Sequence, residues 1–439
     1  MNKNEHLILQ AIDYTDQAHG VCKHEGFVVF VPNMMVGEEA EVILVKVAAK
    51  HAFGRLHKLI KAHPDRVVPV CPIADKCGGC QIQHMSYAQQ LSFKKHHVQA
   101  LLDRNLSELN IKVSEIIGQE NPYHYRNKTI VPYDAVKNQF GFYRSHSHDI
   151  VAFEECLIQK EIANKILNHI KAFYEKQPAY NSAIKHVMIR EGIKSKEVMV
   201  VFIVRSRDIP YLEALVESIS ENFSSVVSIQ LNYNPKEDNV LLTKDFELLY
   251  GKESIQDSLL DLEFEISASS FYQINPIQTE ILYSKALELA KITQKDTVLD
   301  LYSGIGTIAL LAAQKAKKVI GVEVVEASIE NAKQNAVRNK IENVEWICAD
   351  AKEAFNDIKA KVNVLVVDPP RKGLSTETLL NIVELNPERM IYISCEPSTL
   401  VRDLKVLSET YSIDHVVSVD MFGQTTHVET VVLMSRVEK

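Results

Sequence analysis

The stretch that decides the fold is Val298–Thr307, which reads VLDLYSGIGT. An apolar run of strand character leads into a glycine-rich turn, and a helical pattern begins directly afterwards. Gly304 and Gly306 allow a tight turn and a close approach of the backbone to a ligand. Glu323 ends the next strand pattern, 19 residues after Gly304, where a carboxylate can accept hydrogen bonds from both hydroxyls of a ribose. The combination predicts a site for an adenosine-type ligand, for which NAD is one option.

Strand and helix patterns alternate around this turn from about residue 266 onward. Such a run of βα units predicts a parallel sheet with helices on both faces, and therefore an α/β, Rossmann-like domain. Asp350 ends the strand pattern that follows the one of Glu323, where its side chain can meet an adenine edge.

Asp368 ends a further strand pattern and is followed by Pro369, Pro370 and Arg371. Ligands of open α/β sheets bind in the crevice at the carboxyl ends of the strands, so this position faces the predicted ligand. A stiff loop with few free donors suits a methyltransferase that holds a planar base or amine near the sulfonium of S-adenosylmethionine, which favours this cofactor over NAD. The alternative is a loop stiffener without a chemical role.

Cys395 stands at the end of another strand pattern, at the edge where Gly304 and Asp368 are expected. Glu429 lies on the otherwise apolar last strand pattern and is a candidate general base if burial raises its pKa. A thiolate, a carboxylate and a methyl donor in one crevice suggest methylation of C5 of a uracil. The sulfur adds to C6, C5 becomes nucleophilic, and the carboxylate then removes the C5 proton. The alternatives are a small buried cysteine and a charge that protects an edge strand.

The 7 cysteines are unevenly distributed, and three of them fall within residues 71–80. Cys71, Cys77 and Cys80 have the spacing C-x5-C-x2-C, and Cys156 stands alone further along. Four thiolates can hold zinc or a [4Fe–4S] cluster. The spacing differs from the paired C-x2-C pattern of structural zinc sites, which favours the iron–sulfur cluster. Zinc and four free thiols are the alternatives.

The composition of the 439 residues bounds the class of protein. Hydrophobic residues make up 46% and charged residues 24%, which is typical of a globular chain and excludes a disordered chain, a fibre and a membrane-embedded bundle. The sequence has no apolar run of membrane-spanning length and no apolar signal core, so we expect a cytoplasmic protein without a membrane partner. The net charge is −8, yet residues 1–150 hold 17 basic against 15 acidic residues, which permits local binding to a polyanion.

The patterns divide the chain into three parts. Residues 1–60 read as short, regularly spaced strands, which predict an OB-like barrel of a kind that often binds oligonucleotides. Residues 61–265 contain the cysteine-rich segment, a helix at about 86–106 and an α+β region. Residues 266–439 form the predicted Rossmann-like domain, against which the helix at 86–106 is expected to pack.

The chain as a whole resembles the bacterial RNA uracil-5-methyltransferases, in particular the large-subunit rRNA type. The sequence FYQIN at 271–275 is similar to the family motif F-x-Q-x-N, and YRNK at 125–128 is similar to a motif of the central domain. The resemblance implies a TRAM domain at 1–60. It also implies S-adenosylmethionine binding by Gln273, further cofactor or pocket positions at Tyr302, Glu323 and Asp368, the nucleophile Cys395, the base Glu429, and [4Fe–4S] ligands Cys71, Cys77, Cys80 and Cys156.

The implied substrate is a uridine of 23S rRNA, reached in a single-stranded or splayed loop because a stacked base hides C5 and C6. The bacterial tRNA-specific branch of the family lacks the barrel and the cluster, so the resemblance favours rRNA. A tRNA uracil-5-methyltransferase, a non-catalytic RNA-binding protein and a redox sensor are the alternatives. We expect a monomer.

Two positions depart from the family pattern. Glu396 stands where Asn is expected, and Gly423 stands where Pro is expected. We expect the first to alter thiol activation or pocket polarity and the second to loosen the loop before Glu429. We also expect the helix starting near Ser398, or nearby donors, to favour the thiolate of Cys395, an effect that Glu396 opposes unless it points away.

Overall fold

The computed structural model describes residues 1–145, 147–177, 182–238 and 240–437. Its first unit is a closed barrel whose strands are β1 (His6–Tyr14), β2 (Gly20–His24), β3 (Phe27–Val31), β4 (Glu39–Val47) and β5 (His51–Lys61). They close in the order β1-β2-β3-β5-β4. Alternate side chains point inward, so that Val42 and Leu44 of β4 are fully buried. The predicted OB-like barrel is confirmed.

After the barrel, the chain forms helix α1 (Tyr87–Asn105), a short 3-10 helix (Ser107–Leu109) and strand β6 (Val113–Ile117). The side chain of Ser86 caps α1 by accepting a hydrogen bond from the Gln89 amide at 3.2 Å. The helix predicted at about 86–106 is therefore present with nearly the same bounds.

A seven-stranded sheet follows, in the order β13-β12-β11-β10-β7-β8-β9. Two helices, α2 and α3, pack on one of its faces around a common apolar core. The strand β11 is buried along its whole length, because its other face meets a second apolar core that it shares with the last part of the chain. The elements are β7 (Lys128–Asp134), β8 (Gln139–Tyr143), β9 (Ile150–Ala152), α2 (Glu161–Glu175), β10 (Ile184–Glu191), β11 (Val198–Val204), α3 (Leu212–Asn222), β12 (Val226–Tyr233) and β13 (Phe246–Gly251).

The hairpin β14 (Ser254–Leu259) and β15 (Leu262–Ser267) leads into the last part of the chain. Its sheet has the order β18-β17-β16-β19-β20-β22-β21-β6, and helices cover both faces. The elements are α4 (Pro276–Ala290), β16 (Thr297–Leu301), α5 (Thr307–Ala313), β17 (Lys318–Glu323), α6 (Glu326–Arg338), β18 (Val344–Cys348), α7 (Ala351–Ala354), β19 (Val364–Val367), α8 (Thr376–Leu385), β20 (Arg389–Ser394), α9 (Pro397–Leu407), β21 (Tyr411–Val419) and β22 (Glu429–Arg436). The pairings from β18 to β20 are parallel, as predicted.

The outer end of this sheet differs from a simple run of βα units. Strand β22 runs antiparallel between β20 and β21, and β6 pairs in parallel with β21 at the edge. A strand from the predicted central part, 61–265, thus completes the sheet of the predicted part 266–439. Lys94 of α1 also forms a fully buried ion pair with Asp420, at 2.5 Å. The division of the chain at residue 265 therefore stays a proposal.

Among the described residues, each helix is too short or too polar to cross a lipid bilayer.

Candidate active site

The glycine-rich turn lies at the carboxyl end of β16, and both glycines have left-handed backbone angles. The φ angles are +55° at Gly304 and +88° at Gly306, a region that side chains with a Cβ rarely adopt. Glu323, the last residue of β17, accepts hydrogen bonds from the amides of Gly304 at 3.1 Å and Val325 at 2.9 Å. The carboxylate is therefore held beside the turn, as a ribose-binding position requires.

Trp346 on β18 packs against the backbone of two glycines of this region, a contact that the sequence reasoning missed. It pairs in register with Gly321 of β17, and a Cβ built on Gly321 or Gly306 would lie 2.5 Å or 2.7 Å from its indole. Both glycines therefore let the backbone lie flat against the ring. The signal was available, because this is the single tryptophan of the chain and its strand neighbours the strand of Glu323.

Tyr302 and Asp350 also lie near the glycine-rich turn, and each has a local hydrogen-bond partner. Tyr302 follows β16 with a left-handed φ of +70°. Burial raises the pKa of its phenol, and a hydrogen bond with Thr378 opposes that rise. Asp350 caps α7 by accepting a hydrogen bond from the Lys352 amide at 3.1 Å. Asp350 is exposed, so it borders the crevice and does not line its base.

Asp300 is a second site residue without a counterpart in the sequence prediction. It is fully buried within β16, and neither of its carboxylate oxygens has a hydrogen bond of normal geometry among the described residues. Burial and the nearby Asp368 raise its pKa well above the usual value. The buried hydroxyl of Ser303 also lacks a partner within that same part of the chain. Since buried polar groups are rarely left unpaired, the base of the crevice has hydrogen-bonding capacity that a polar ligand can satisfy.

Cys395, Glu429 and Asp368 are brought together at the carboxyl ends of neighbouring strands. Cys395 directly follows β20, and Glu429 is the first residue of β22. The antiparallel pairing of Ser394 with Thr430 continues by one step to set Cys395 opposite Glu429. Asp368 directly follows β19, the other neighbour of β20. The prediction of one shared crevice thus agrees with the sheet register.

The electrostatics of this cluster differ from the expectation of a stabilised thiolate. Burial and the neighbouring Glu429 and Asp368 raise the pKa of the Cys395 thiol to about 12, against a smaller opposing effect of Arg371. Burial and Asp368 raise the pKa of Glu429 to about 8, again opposed by Arg371. Burial raises the pKa of Asp368 to about 7. The free protein therefore keeps Cys395 protonated at neutral pH, and the expected preference for the thiolate is wrong for this state.

The surroundings of Glu429 and Glu396 decide whether Glu429 protects a sheet edge and whether the Glu396 carboxylate points away from Cys395. Glu429 is only 3% exposed, and β22 is an interior strand, so Glu429 does not protect a sheet edge. The Glu396 carboxylate turns toward the start of α9, where it accepts hydrogen bonds from the Ser398 hydroxyl at 2.8 Å and the Ser398 amide at 3.4 Å. Glu396 acts as a helix cap, and the leading causes of the raised Cys395 pKa are burial, Glu429 and Asp368.

Gln273 lies on the loop before α4 and faces a buried tyrosine. Its side-chain amide is 3.4 Å from the hydroxyl of Tyr283, whose pKa is raised by burial and by the nearby Asp368 and Glu429. Asn127 fixes this loop by hydrogen bonds to the carbonyls of Gln273 at 3.1 Å and Ile274 at 2.8 Å. Tyr283 therefore links Gln273 to the carboxylates, although the sequence reasoning did not select it.

The four predicted cluster ligands line one cavity of about 140 Å³, together with the side chains of Arg126 and Gln83. Burial raises the pKa of Cys80 to about 11 and that of Cys156 to about 12. Within the described residues, no group of three or more His, Cys, Asp or Glu side chains is arranged to hold a single metal ion. The structure thus brings together Cys71, Cys77, Cys80 and Cys156 without the geometry of a mononuclear site.

The loop before Glu429, residues 420–428 and here named the base loop, is tightly packed around Gly423. A Cβ at this position would lie 2.9 Å from both the Cβ and the carbonyl oxygen of Pro122. The Gly423 carbonyl accepts a hydrogen bond from the Tyr125 hydroxyl at 3.0 Å. The glycine thus allows this close contact, and the expected effect of Gly423 on the stiffness of the loop stays a prediction.

Comparisons with known proteins agree with this geometry. The profile of the tRNA (uracil-5-)-methyltransferase family matches residues 86–437. An uncharacterized RNA methyltransferase of Bacillus cereus is 44% identical over 100% of this chain and 98% of its own, and one of Clostridium tetani is 40% identical over 99% and 97%. The crystal structure of Pyrococcus abyssi tRNA (uracil-54, C5)-methyltransferase in complex with S-adenosyl-L-homocysteine is similar with a TM-score of 0.79 and 28% identity, over 97% of this chain and 99% of that one. The chain belongs to the tRNA (uracil-5-)-methyltransferase family of enzymes.

Proposed function

We propose that this enzyme methylates C5 of a uridine in 23S rRNA, with S-adenosylmethionine as methyl donor and a covalent bond between Cys395 and C6 of the base. The observation that carries the proposal is the register of β20 and β22, which sets the Cys395 thiol opposite the buried Glu429 carboxyl. A nucleophile and a base that face each other at one end of a strand pair can act on adjacent ring carbons.

In this mechanism, Cys395 must lose its proton only when the uridine is in place. The thiol is protonated in the free site, so the site is protected from wasteful reaction. Asp368, with a pKa raised to about 7, is the neighbouring carboxylate that can hold the thiol proton near neutral pH. Arg371 lowers the pKa of both Cys395 and Glu429, so its cation favours the ionised forms that the reaction needs.

The sulfur of Cys395 adds to C6, and the electron pair of the C5=C6 bond moves toward the C4 carbonyl. S-adenosylmethionine would supply an electrophilic methyl group. C5 forms its new bond to the methyl carbon as the bond from that carbon to the sulfonium sulfur breaks, which leaves S-adenosylhomocysteine. The Glu429 carboxylate then accepts the C5 proton, the ring double bond reforms, and the thiolate of Cys395 leaves. The raised pKa of about 8 makes Glu429 a stronger base than an exposed glutamate.

The methyl donor is assigned to the crevice beside the glycine turn. The buried Asp300 carboxyl and Ser303 hydroxyl fit a ligand with polar groups, and Trp346 supports the backbone of Gly306 and Gly321. Glu323 is placed for the ribose hydroxyls, Asp350 for the adenine edge, and Gln273 for the amino-acid end near Tyr283. Gly304 provides the close backbone approach. The homologous archaeal enzyme was crystallised with S-adenosyl-L-homocysteine, which supports this assignment.

We further propose that Cys71, Cys77, Cys80 and Cys156 hold a [4Fe–4S] cluster. Four cysteines around one cavity provide the full ligand set of such a cluster. Among the described residues, no group of three or more His, Cys, Asp or Glu side chains is arranged to hold a metal ion of either kind. The preference for the cluster over zinc therefore rests on the C-x5-C-x2-C spacing and on the family resemblance. Bound iron would offset the raised pKa values of Cys80 and Cys156 by favouring the thiolates.

Transfer RNA is the second candidate substrate, because the Pyrococcus abyssi enzyme is a tRNA methyltransferase. The alignment with that enzyme covers 97% of this chain and so includes most of the barrel. A barrel alone therefore does not separate rRNA enzymes from tRNA enzymes, and the preference for 23S rRNA rests on the cysteine quartet and the family resemblance.

The test is methyl transfer from labelled S-adenosylmethionine to unmodified rRNA and, separately, to unmodified tRNA. We expect 5-methyluridine in rRNA only, and no product with Cys395→Ala. Labelling of tRNA alone would overturn the rRNA assignment, and undiminished labelling by Cys395→Ala would overturn the covalent mechanism. Cys348→Ala is the matched control, because Cys348 is an exposed cysteine at the end of β18.

A further inference from the structure

The base loop is held by residues that lie more than 290 positions away in the sequence, directly after the cysteine loop (residues 71–80). The amides of Gln81 and Ile82 both donate hydrogen bonds to the Gln424 carbonyl, at 3.1 Å and 3.2 Å. The side chain of Gln81 also donates to the carbonyl of Gly78 at 2.8 Å. One short segment therefore connects the cysteine cavity to the base loop.

A second connection runs through the other wall of the cysteine cavity. Arg126 lines that cavity beside Cys80 and Cys156. Its chain neighbour Tyr125 is buried and donates its hydroxyl to the Gly423 carbonyl at 3.0 Å. Two segments that meet at the cavity thus bind adjacent carbonyls of the base loop.

The conformation of the base loop requires such support. Gln424 is 2% exposed and has a left-handed φ of +70°, which is unfavourable for a residue with a Cβ. The Gln90 side chain of α1 bonds both the Gln424 amide, at 3.0 Å, and the Gln424 side chain, at 2.9 Å. A strained residue of this kind stays in place only when its surroundings hold it on several sides.

The proposed nucleophile, Cys395, is held by contacts other than those that hold the base loop. Cys395 lies between β20 and α9, and its neighbours Ser394 and Glu396 bond each other and the start of α9. The hydrogen bonds from the segment after Cys80 and from Tyr125 reach Gln424 and Gly423, five and six residues before Glu429. The cysteine loop therefore contacts the base side of the proposed chemistry.

We infer that the cysteine loop is a positioning element for the general base: the group bound by the four cysteines holds the base loop, and through it Glu429, in the reacting position. The expected effect on catalysis rests on the proposed function, whereas the support of the base loop by the cysteine loop does not. Loss of the bound group should release the base loop while Cys395 stays in place. Adduct formation should then persist while release of the methylated product slows.

Hydrogen–deuterium exchange of the full-length protein tests the structural part. Cys156 lines the cysteine cavity but is distant in sequence from the segment that bonds the base loop, so Cys156→Ala is the test variant. Cys22→Ala, in the barrel core, is its control. We expect faster exchange in 421–428 and at the amides of Gln81 and Ile82 for Cys156→Ala, with unchanged exchange in β20. The Cys22→Ala control should leave 421–428 as in the wild type.

Tyr125→Phe tests the same connection without touching a cysteine. Tyr133→Phe is its control, because the Tyr133 hydroxyl bonds Asn138 at 2.7 Å within the central sheet. We expect Tyr125→Phe to speed exchange in 421–428 by about fivefold, the factor for one net hydrogen bond. Unchanged exchange in 421–428 for both Cys156→Ala and Tyr125→Phe would overturn the inference.

The chemical consequence has its own measurement. With unmodified RNA, Cys156→Ala should lower turnover and raise the fraction of protein–RNA adduct that survives denaturation. Adduct and turnover falling in parallel would overturn the assignment to the base side. If the wild-type protein transfers no methyl group to RNA, the proposed function fails, and the exchange experiment still decides whether the cysteine loop holds the base loop.

Discussion

Three acidic or thiol groups share one crevice, and their pKa values are all raised because burial disfavours charge. The order of these values matters for the reaction. Both carboxyl groups ionise near neutral pH and the Cys395 thiol only far above it, so a protonated thiol faces carboxyl groups that titrate near neutral pH. Product formation should therefore rise with pH as Glu429 ionises around pH 8.

The raised pKa of Glu429 also predicts how stability depends on pH. Between its ordinary value of 4.5 and about 8, the unfolded chain loses the proton that the folded chain keeps, so stability falls as pH rises. Each unit corresponds to about 1.4 kcal/mol for a fully shifted group. The Glu429→Gln variant lacks this pH-dependent loss of stability. We therefore expect the variant to be more stable than the wild type at pH 8 and equally stable near pH 4. Thermal unfolding across this range is the measurement.

The exposed Glu409→Gln is the matched control for that series. A constant stability difference between Glu429→Gln and the wild type at all pH values would contradict the raised pKa. In the methylation assay, Glu429→Gln should accumulate the protein–RNA adduct, since removal of the C5 proton stalls. Turnover of Glu429→Gln at the wild-type rate would remove Glu429 from the base role.

Glu396 has a structural role that can be separated from catalysis. Its carboxylate caps α9, a role that Asn fulfils equally well. We expect Glu396→Asn to keep stability and activity close to the wild type, and Glu396→Ala to lose about 1 kcal/mol of stability. Chemical denaturation and methylation rates measure the two effects. A large gain of activity in Glu396→Asn would show that the carboxylate does oppose thiol activation.

Single residues at strand ends were predictable, but their partners were not. Cys395, Asp368 and Glu429 each stand out because a reactive side chain interrupts or ends an apolar strand pattern. Tyr283 and Gln90 do not, because both lie on helices where their periodic positions are typical of a packed core. Their contacts with Gln273 and Gln424 depend on tertiary structure that no local pattern contains.

At the scale of elements, the turn between β16 and α5 combines a left-handed backbone with the proposed ligand site. A Cβ on Gly306 would lie 2.7 Å from the Trp346 indole, whereas a Cβ on Gly304 would have no neighbour within 4 Å. We expect Gly306→Ala to lose stability and S-adenosylhomocysteine binding together. Gly304→Ala should lose only about 1–2 kcal/mol of stability from its left-handed backbone. Calorimetric titration and thermal unfolding provide the comparison, and equal stability of the two variants would contradict the packing against Trp346.

The elements of the βα run were predictable from alternation, because central strands such as β19 and β20 carry consecutive apolar residues between helical patterns. The placement of β6 was not. Its sequence VSEII is short and mixed, and it finds its place only by pairing with β21, about 300 residues further along. Pairings between such distant segments leave no periodic signal in a single sequence.

For the whole molecule, the location of β6 and α1 predicts which fragments fold. A fragment 266–439 lacks β6 and also Lys94, so it leaves Asp420 buried without its cation. Breaking such a buried pair typically costs about 3–5 kcal/mol. We expect 266–439 to aggregate or unfold without a cooperative transition, whereas 62–439 should unfold cooperatively and bind S-adenosylhomocysteine. A cooperative transition of 266–439 at the temperature of the intact chain would contradict this expectation.

The reversed strand β22 also determines when the active centre can exist. It inserts between β20 and β21, which are both made earlier, and it carries the residue that faces Cys395. Until residues 429–436 have emerged from the ribosome, the two older strands cannot be joined, and the thiol has no carboxyl group across from it. In the proposed mechanism, Cys395 therefore gains its general base only after residues 429–436 have been made and have paired with β20, beside the particle whose RNA the enzyme is proposed to modify.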